Sequence, residues 1–343
     1  MKKFTLYILT AFGLMGLATS CNDFGDVNND PMNLNPGVVD YKMEFTQVEA
    51  QICGSDWDVW RNGCIYTANM IQHTASVDWA YGVFYTWNDQ YSGAYWGGFY
   101  SGGRAAIRNI IDVMNNWEGN PAYANEYQMC RILKAYMFQN MTDLYGDVPY
   151  SEAGQGYSTN PIPYPKYDTQ EAIYNDLLKE LDEAQAALST SAGNTIGAAD
   201  VIYNGDAAKW KKFANSLMLR VAMRLTKVAP DKAKTWVAKA VSNGLFVSND
   251  DNAIVRHTNG SPSDDSAEPY GKVFSSLDTQ AFYISETFIN ILQDDPRLPL
   301  IATVCTRDPK PGWGDADFDL GDNTAAKQKG MPVGYDVSGG DWD

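Results

Sequence analysis

The stretch "YDTQEAIYNDLLKELDEAQAAL" (residues 167–188) has the clearest amphipathic pattern in this 343-residue chain. Its apolar residues recur every three or four positions, which is the spacing of one face of an α-helix. They are Ile173, Leu177, Leu181, Ala184 and Leu188. Asp168 and Glu171 have the spacing of a capping box, so we expect the helix to begin near Asp168.

Two further amphipathic stretches follow this helix. In "GDAAKWKKFANSLMLRVAMRLTKV" (205–228), Asp206 is the expected N-cap of a second helix. Its apolar face comprises Trp210, Phe213, Leu217, Val221, Leu225 and Val228. The stretch "PDKAKTWVAKAVSNG" (230–244) begins with Pro230 and ends at Gly244, a placement typical of helix ends. The two stretches have the size of one tetratricopeptide-type helix pair, although they lack a strict repeat consensus, and they predict stacked pairs of helices.

Helical periodicity also occurs in the N-terminal half. We expect one or two helices over residues 41–75, with candidate core positions at Met43, Val48, Ile52, Ile65 and Ile71. The stretch "NPAYANEYQMCRILKAYMFQNMTDLYG" (120–146) predicts another helix, with an apolar stripe of Tyr127, Cys130, Leu133, Met137 and Met141. Gly146 stands where a helix C-cap is expected.

The peptide "DLYGDVPYSEA" (143–153) contains three carboxylates that could suggest acid–base catalysis. Gly146 favours a helix end, and Pro149 prevents the helix from continuing. We therefore interpret Asp143, Asp147 and Glu152 as turn and cap groups at a helix exit.

The N-terminus has the pattern of an export signal. Two lysines precede the apolar run "FTLYILTAFGLMGLA", and "LATSC" resembles a bacterial lipobox that ends at Cys21. We expect residues 1–20 to be a lipoprotein signal peptide, Cys21 to be lipidated, residues 21–40 to be a flexible tether, and residues 41–343 to form the folded domain. The less favoured alternative is an ordinary signal peptide cleaved near Ala18.

Composition and motifs exclude several function classes. The formal net charge of −16 argues against binding to nucleic acid. Catalytic residues are not predicted, because the two histidines are far apart in sequence and the HExxH, GxSxG and Walker A motifs are absent. No CxxC motif indicates zinc; four cysteines follow Cys21, and their pairing stays open. The alternating aspartates of "GDADFDLGD" (314–322) could hold Ca²⁺, but we favour a solvated acidic turn and expect no cofactor.

The aromatic stretch "DWAYGVFYTW" (78–87) is the best candidate for a ligand site. Tyrosine and tryptophan combine a large contact area with a polar tip, and aromatic rings can stack on the apolar faces of sugars or contact peptides. We expect Trp79, Tyr81 and Tyr85 to be exposed platforms, with Asp78 and Asn88 as polar partners. For these rings, burial in the core is an equal alternative. We expect core packing for a second group of rings at helical spacing, namely Trp87, Tyr91, Tyr95 and Trp96.

Several stretches together resemble the SusD/RagB family of Bacteroidetes outer-membrane lipoproteins. They are "LATSC" with its acidic continuation, "DLYGDVPYSEA", "YDTQEAIYNDLLKELDEA", "YNGDAAKWKKFANSLMLRVAMRL" and "SETFINILQDDPRLP". Their order and spacing over about 280 residues carry the resemblance, since no single stretch is decisive.

This resemblance implies an all-α fold of tetratricopeptide-like helix pairs with long irregular loops. It implies a surface-exposed protein, anchored by lipid (palmitate) in the outer membrane, that captures an oligosaccharide or peptide for a SusC-like TonB-dependent transporter and is not an enzyme. Family members are longer, so we expect the C-terminal part of the domain to be missing here. The alternatives are a lipid-anchored hydrolase of polysaccharide or peptide, and a helical-repeat scaffold lipoprotein.

Overall fold

In the computed structural model the described residues are 40–76, 78–101, 105–157, 160–257, 268–273, 282–304 and 321–335. Contacts divide the chain into two units, Met1–Tyr41 and Lys42–Asp343, and the description below concerns the second. The predicted signal peptide, Cys21, nearly all of the tether and most of the acidic segment 314–322 lie outside the described residues. Among the described residues, no helix is sufficiently long and apolar to span a membrane.

The described chain is mainly α-helical. In chain order the helices are α1 (Tyr41–Gln51), α2 (Asp56–Asp58), α3 (Asp89–Ser92), α4 (Ala94–Tyr100), α5 (Ala106–Trp117), α6 (Ala124–Tyr145), α7 (Gln170–Ala187), α8 (Ala207–Arg224), α9 (Pro230–Asn243), α10 (Pro269–Lys272), α11 (Glu286–Leu292) and α12 (Leu298–Ile301). A π-helix, Val59–Ala68, directly follows α2. Single 3-10 turns occur at Pro121–Tyr123, Gln155–Tyr157, Gly197–Ala199, Asn249–Asp251 and Ala325–Lys327.

Within the described ranges, four short strands form two antiparallel ladders. The strands are β1 (Thr74–Ala75), β2 (Val148–Pro149), β3 (Tyr167–Asp168) and β4 (Tyr283–Ile284). In the first ladder Thr74 pairs with Ile284, so distant parts of the chain meet. In the second, Val148 pairs with Asp168, which joins the exit of α6 to the entry of α7.

Consecutive helices from α5 to α9 pack against one another. The five apolar positions predicted for α7 are all buried, as are Cys130, Leu133, Met137 and Met141 on α6. This arrangement confirms the all-α prediction of helix pairs with irregular connections. Three candidate core residues are wrong, because Met43, Ile71 and Val228 are exposed. Val228 lies beyond the last residue of α8, where the helical period no longer directs it inward.

The helix ends follow local hydrogen bonding. Asp206 caps α8 as expected, because its carboxylate accepts from the N–H groups of Ala208 and Lys209 at 2.9 and 3.2 Å. Thr169, and not Asp168, caps α7. The Asp168 carboxylate accepts instead from Ser151 N–H at 2.7 Å. These bonds and the ladder to Val148 fix the point at which the chain enters α7.

The helix exit at 143–153 is held by its carboxylates. Asp143 accepts a hydrogen bond from the Tyr174 hydroxyl and pairs with Arg224 at 2.9 Å, so it joins α6 to α7 and α8. Asp147 accepts from Gln170 N–H at 2.8 Å, and Glu152 accepts from Lys166 N–H at 2.9 Å. Gly146 has a positive φ of 77°, which a glycine adopts without strain. The interpretation as turn and cap groups is confirmed for Asp147 and Glu152, but it is wrong for Asp143, which lies within α6 and pairs with Arg224 on α8.

Helix α1 is attached to the rest of the domain through polar side chains, of which Glu49 is buried and Lys42 and Thr46 are half-buried. The Lys42 ammonium donates to Thr195 O at 2.7 Å, and Thr46 Oγ1 donates to Ala199 O at 2.5 Å. The buried carboxyl of Glu49 accepts from Val201 N–H at 2.8 Å through Oε2. Since each of these bonds reaches the segment 195–201, α1 is docked against the chain that leads into α8.

Candidate ligand-binding site

The aromatic stretch forms a loop that lies against the π-helix. Gly82 N–H donates to Ile65 O at 3.1 Å, and Thr86 N–H donates to Tyr81 O at 2.9 Å within the loop. A Cβ atom at Gly82 would lie 2.5 Å from Ile65 O and 2.6 Å from Tyr66 O. Because those are backbone atoms, only glycine permits this approach.

The π-helix supports the loop with a network of rings. π-Helical segments are rare and occur often at functional sites. The Trp60 ring lies at the centre of this network, with centroid distances of 5.1 Å to Trp79, 5.5 Å to Trp57 and 5.7 Å to Tyr91. These contacts are edge-to-face, the arrangement that aromatic pairs favour. The loop therefore rests on a packed base.

The expected platforms differ in their exposure. Trp79 and Tyr81 are half-buried, and they pack on a buried cluster that consists of Val59, Trp60, Cys64, Ile65, Tyr66, Val273 and Phe282. Tyr85 is 70% exposed, and Asp78 is exposed as well. Trp87 is 74% exposed, so the expectation that it packs in the core is wrong. Phe84, which the sequence reasoning did not select, is also exposed.

Phe84, Tyr85 and Trp87 form what we call the aromatic edge. Tyr85 has φ = 54°, a left-handed conformation that is uncommon for a bulky residue and that requires support from its surroundings. Its hydroxyl donates to Met70 O at 3.4 Å, which places the edge beside the exposed side chain of Met70. The Trp87 indole N–H donates to the carboxylate of Asp89. These bonds hold exposed rings in defined orientations.

Asn88 has a structural role at the end of the loop. Its side-chain oxygen accepts from Gln90 and Tyr91 N–H at 3.1 and 3.3 Å, so it is the N-cap of α3. Its own N–H donates to the Tyr66 hydroxyl at 2.8 Å. Burial raises the pKa of the Tyr66 phenol, which therefore remains a neutral hydroxyl. The amide of Asn88 positions the end of the loop, and ligand contact through it stays a prediction.

A cleft of about 300 Å³ lies elsewhere in the domain, between α4, α5 and the chain around β2. Its lining includes Trp96, Tyr100, Arg108 and Ile162. The Trp96 ring stacks on Tyr167, with centroids 6.0 Å apart. Trp96 is half-buried among other rings, which agrees with its expected packing role.

Neither a metal centre nor a catalytic pair emerges from the described residues. Within them, no group of three histidine, cysteine, aspartate or glutamate side chains could hold a metal ion. Of the adjacent acids at 294–295, Asp295 pairs with Arg297 at 2.6 Å, and hydrogen bonds from Arg297 lower the pKa of Asp295 to about 2. Its carboxylate is therefore an ionised turn group. The calcium prediction stays untested, because its segment is mostly outside the described residues.

Comparison with known proteins identifies the family. A SusD-like family model, described as "Starch-binding associating with outer membrane", matches residues 39–336. The chain belongs to the SusD-like family. No curated protein matches this SusD-like chain by sequence.

Solved structures share the fold of this SusD-like chain. A Bacteroidetes SusD-like protein is 31% identical, with a TM-score of 0.65, and the match covers 76% of this chain and 50% of that one. A chitin-binding protein is 32% identical with a TM-score of 0.68, covering 85% and 60%. A chitin-binding SusD homolog from Flavobacterium johnsoniae is 26% identical with a TM-score of 0.62, covering 80% and 56%. The chain thus spans about half to three fifths of the length of these relatives.

Proposed function

We propose that this SusD-like protein binds an oligosaccharide at the cell surface and delivers it to a SusC-like TonB-dependent transporter. The aromatic edge of Phe84, Tyr85 and Trp87 is the observation that carries the proposal. It presents three exposed rings that are neighbours in a loop, and the rest of that loop packs on the buried cluster. Grouped exposed apolar side chains, unlike single ones, mark interaction sites.

The chemistry of the edge suits a sugar. Aromatic rings can stack on the apolar faces of a sugar ring, while its hydroxyl groups find polar partners at the rim. The exposed carboxylates of Asp78 and Asp89 are acceptors for such hydroxyl groups. The descriptions of the family and of two relatives name starch and chitin, which favours a glycan over a peptide. The protein acts by binding alone.

The proposed location of the protein rests on the pattern of its N-terminal sequence. In this proposal residues 1–20 are removed, Cys21 carries the lipid, and residues 21–40 tether the domain that begins at residue 41. The family description, which names association with the outer membrane, supports this arrangement. A tethered domain with an exposed aromatic edge can then meet soluble glycans before the transporter does.

Binding titrations with the Trp87→Ala variant test this function. Calorimetric titration with chitin, starch and uronate oligosaccharides and with oligopeptides should give saturable binding of a glycan without product release. We expect Trp87→Ala to weaken this binding about tenfold, or about 1.4 kcal/mol, because a central aromatic contact is lost.

The matched control is Tyr164→Ala, which removes an aromatic ring that is 90% exposed elsewhere on the chain. Its affinity should equal that of the unmodified protein. Equal affinity in Trp87→Ala would contradict the assignment of the aromatic edge. Turnover of a glycan or peptide would instead favour a hydrolase, and binding of proteins alone would favour a scaffold.

A further inference from the structure

Arg61 projects from the π-helix into the ring network beside the candidate site. Its guanidinium carbon lies 5.3 Å from the centroid of the Trp57 ring and 5.7 Å from that of Tyr91. Both distances are within the range of a cation–π contact. Arginine can stack on a ring face while its N–H groups remain directed along the plane of the guanidinium. The rings of Trp57 and Tyr91 therefore contact the guanidinium, while its N–H groups remain directed along the guanidinium plane and can donate to another group.

Among the described residues, Arg61 forms no ion pair, and its buried Nε–H has no hydrogen-bond acceptor. Nearby carboxylates have other partners. Asp56 pairs with Lys272 at 3.3 Å, Asp58 accepts from Ser55, and Asp89 accepts from the Trp87 indole. The chain has 42 acidic and 26 basic residues, so carboxylates are numerous. None of those in the described residues forms an ion pair with Arg61.

An arginine without an acceptor is costly. A buried N–H group left without a hydrogen bond costs about 1–3 kcal/mol. Guanidinium donors match the two oxygens of a carboxylate or sulfate in a parallel pair of bonds. A ligand that brought an anionic group to Arg61 would satisfy these donors and gain a charge-assisted contact. The unpaired Nε–H and the positive charge of Arg61 thus favour a ligand with an anionic acceptor group.

The position of Arg61 connects it to the predicted loop. Tyr91, which stacks on Arg61, also lies 5.6 Å from the ring centroids of both Trp79 and Tyr81. Trp57, the second ring in contact with the guanidinium, is 43% exposed. A sugar that stacks on an exposed ring here can bring a substituent to the guanidinium.

We propose that the glycan of this site is acidic, and that Arg61 binds the carboxylate of a uronic acid residue. The inference rests on the proposed glycan-binding function and adds its ligand class. Neutral chains would contact the rings and offer Arg61 only uncharged hydroxyl acceptors, without the charge-assisted pair of bonds that a carboxylate forms. The preference for acidic over neutral sugar should therefore depend on Arg61, whereas binding of the sugar rings should not.

The test compares each acidic oligosaccharide with its own neutral form. Oligogalacturonate and hyaluronan hexasaccharide are used as such and after chemical reduction of their carboxylates to hydroxymethyl groups, so linkage and length stay constant. We expect the full chain to bind at least one acidic form tenfold or more tightly than its reduced form. Arg61→Gln should bring the two affinities within about threefold by weakening only the acidic one.

Two further variants make the result specific. Arg61→Lys keeps the charge but not the paired donors, and it should retain part of the preference. Arg220→Gln removes an exposed arginine that lies over Tyr136 at 5.9 Å, and it should leave the preference unchanged. A thermal melt of each variant verifies folding.

Three results would overturn the inference. The first is equal affinity of the unmodified chain for every acidic and reduced pair. The second is an acidic preference that survives in Arg61→Gln. The third is a loss of affinity in Arg61→Gln that is equal for acidic and reduced forms, which would show a structural role only. If the chain binds the neutral forms but has no acidic preference, the glycan-binding function is retained and the role of Arg61 is rejected. If it binds no glycan at all, both the function and the role of Arg61 are rejected.

Discussion

The carboxyl group of Glu49 is completely buried between α1 and the chain that leads into α8. Its Oε2 accepts from Val201 N–H, but Oε1 has no donor among the described residues. The carboxylate of Asp200 is close by and already accepts from four groups, including the Trp210 indole N–H at 2.7 Å and Gly205 N–H at 2.7 Å. Burial and the charge of Asp200 raise the pKa of Glu49 from 4.5 to about 10.

This pKa makes stability depend on pH. Between pH 4.5 and about 10 the folded protein keeps the proton on Glu49, whereas the unfolded chain releases it. The free energy of unfolding should therefore decrease as the pH rises through this window, by up to about 1.4 kcal/mol per pH unit. In Glu49→Gln an uncharged amide takes the place of the protonated acid. We expect urea denaturation of this variant to show a weaker pH dependence and greater stability above neutral pH.

Other groups also titrate in this range, so the comparison needs a reference. Glu171→Gln removes an exposed acid from α7, and its pH dependence should match that of the unmodified protein. A slope in Glu49→Gln that equals the slope in Glu171→Gln would refute the assignment of the proton to Glu49.

At the scale of elements, the aromatic loop depends on its close approach to the π-helix. In Gly82→Ala the added methyl group would collide with two backbone oxygens, so the loop must move away from Ile65. The aromatic edge moves with it. We expect glycan affinity to fall about tenfold or more in calorimetric titration, while the helical signal in circular dichroism stays unchanged.

Gly193→Ala is the control for that substitution, since a Cβ atom at Gly193 meets nothing within 4 Å. It should bind like the unmodified chain. Normal affinity in Gly82→Ala would show that the loop does not need this backbone contact, or that the ligand binds elsewhere.

The elements differ in how well their sequences predict them. Helices α6 to α9 bury one face along their length, so their apolar residues recur at the helical period and can be recognised. The ladder between β1 and β4 has two residues in each strand, too few for any alternation to appear. The π-helix was not predicted, because over such a short aromatic segment the spacing of apolar residues does not distinguish a π-helix from an α-helix.

The candidate site was predicted only in outline. Its loop was found from the density of aromatic residues, but neighbouring rings in one loop can point inward or outward. Trp79 packs on the buried cluster, whereas Trp87 is exposed. Arg61 was missed, although a basic residue inside the aromatic run "DWDVWRNG" (56–63) is a signal that sequence reasoning could use.

On the scale of the whole molecule, the proposed lipid on Cys21 decides where the domain is found in the cell. In the bacterium that produces it, the unmodified protein should occur in the outer-membrane fraction and be accessible to external protease. Cys21→Ser cannot accept the lipid, so this variant should move to soluble fractions with its glycan affinity unchanged.

Mass spectrometry of the mature N-terminus completes that test. A lipid-modified Cys21 as the first residue is expected. An unmodified N-terminus near Ala18, or a Cys21→Ser variant that stays in the membrane fraction, would contradict lipid anchoring and favour the ordinary signal peptide.

The ladder between β1 and β4 has a consequence for the order of events during biosynthesis. The backbone next to the aromatic loop is bonded to chain made much later: Ser285 N–H donates to His73 O at 3.1 Å, and Thr287 Oγ1 donates to Gln72 Oε1, 215 residues earlier, at 2.8 Å. Contacts between such distant residues form slowly. The helix pairs, whose contacts are local, can assemble while the chain is still emerging. We therefore expect a newly made molecule to form its helix pairs before the support of the aromatic loop is complete, so that the proposed binding of a ligand matures last.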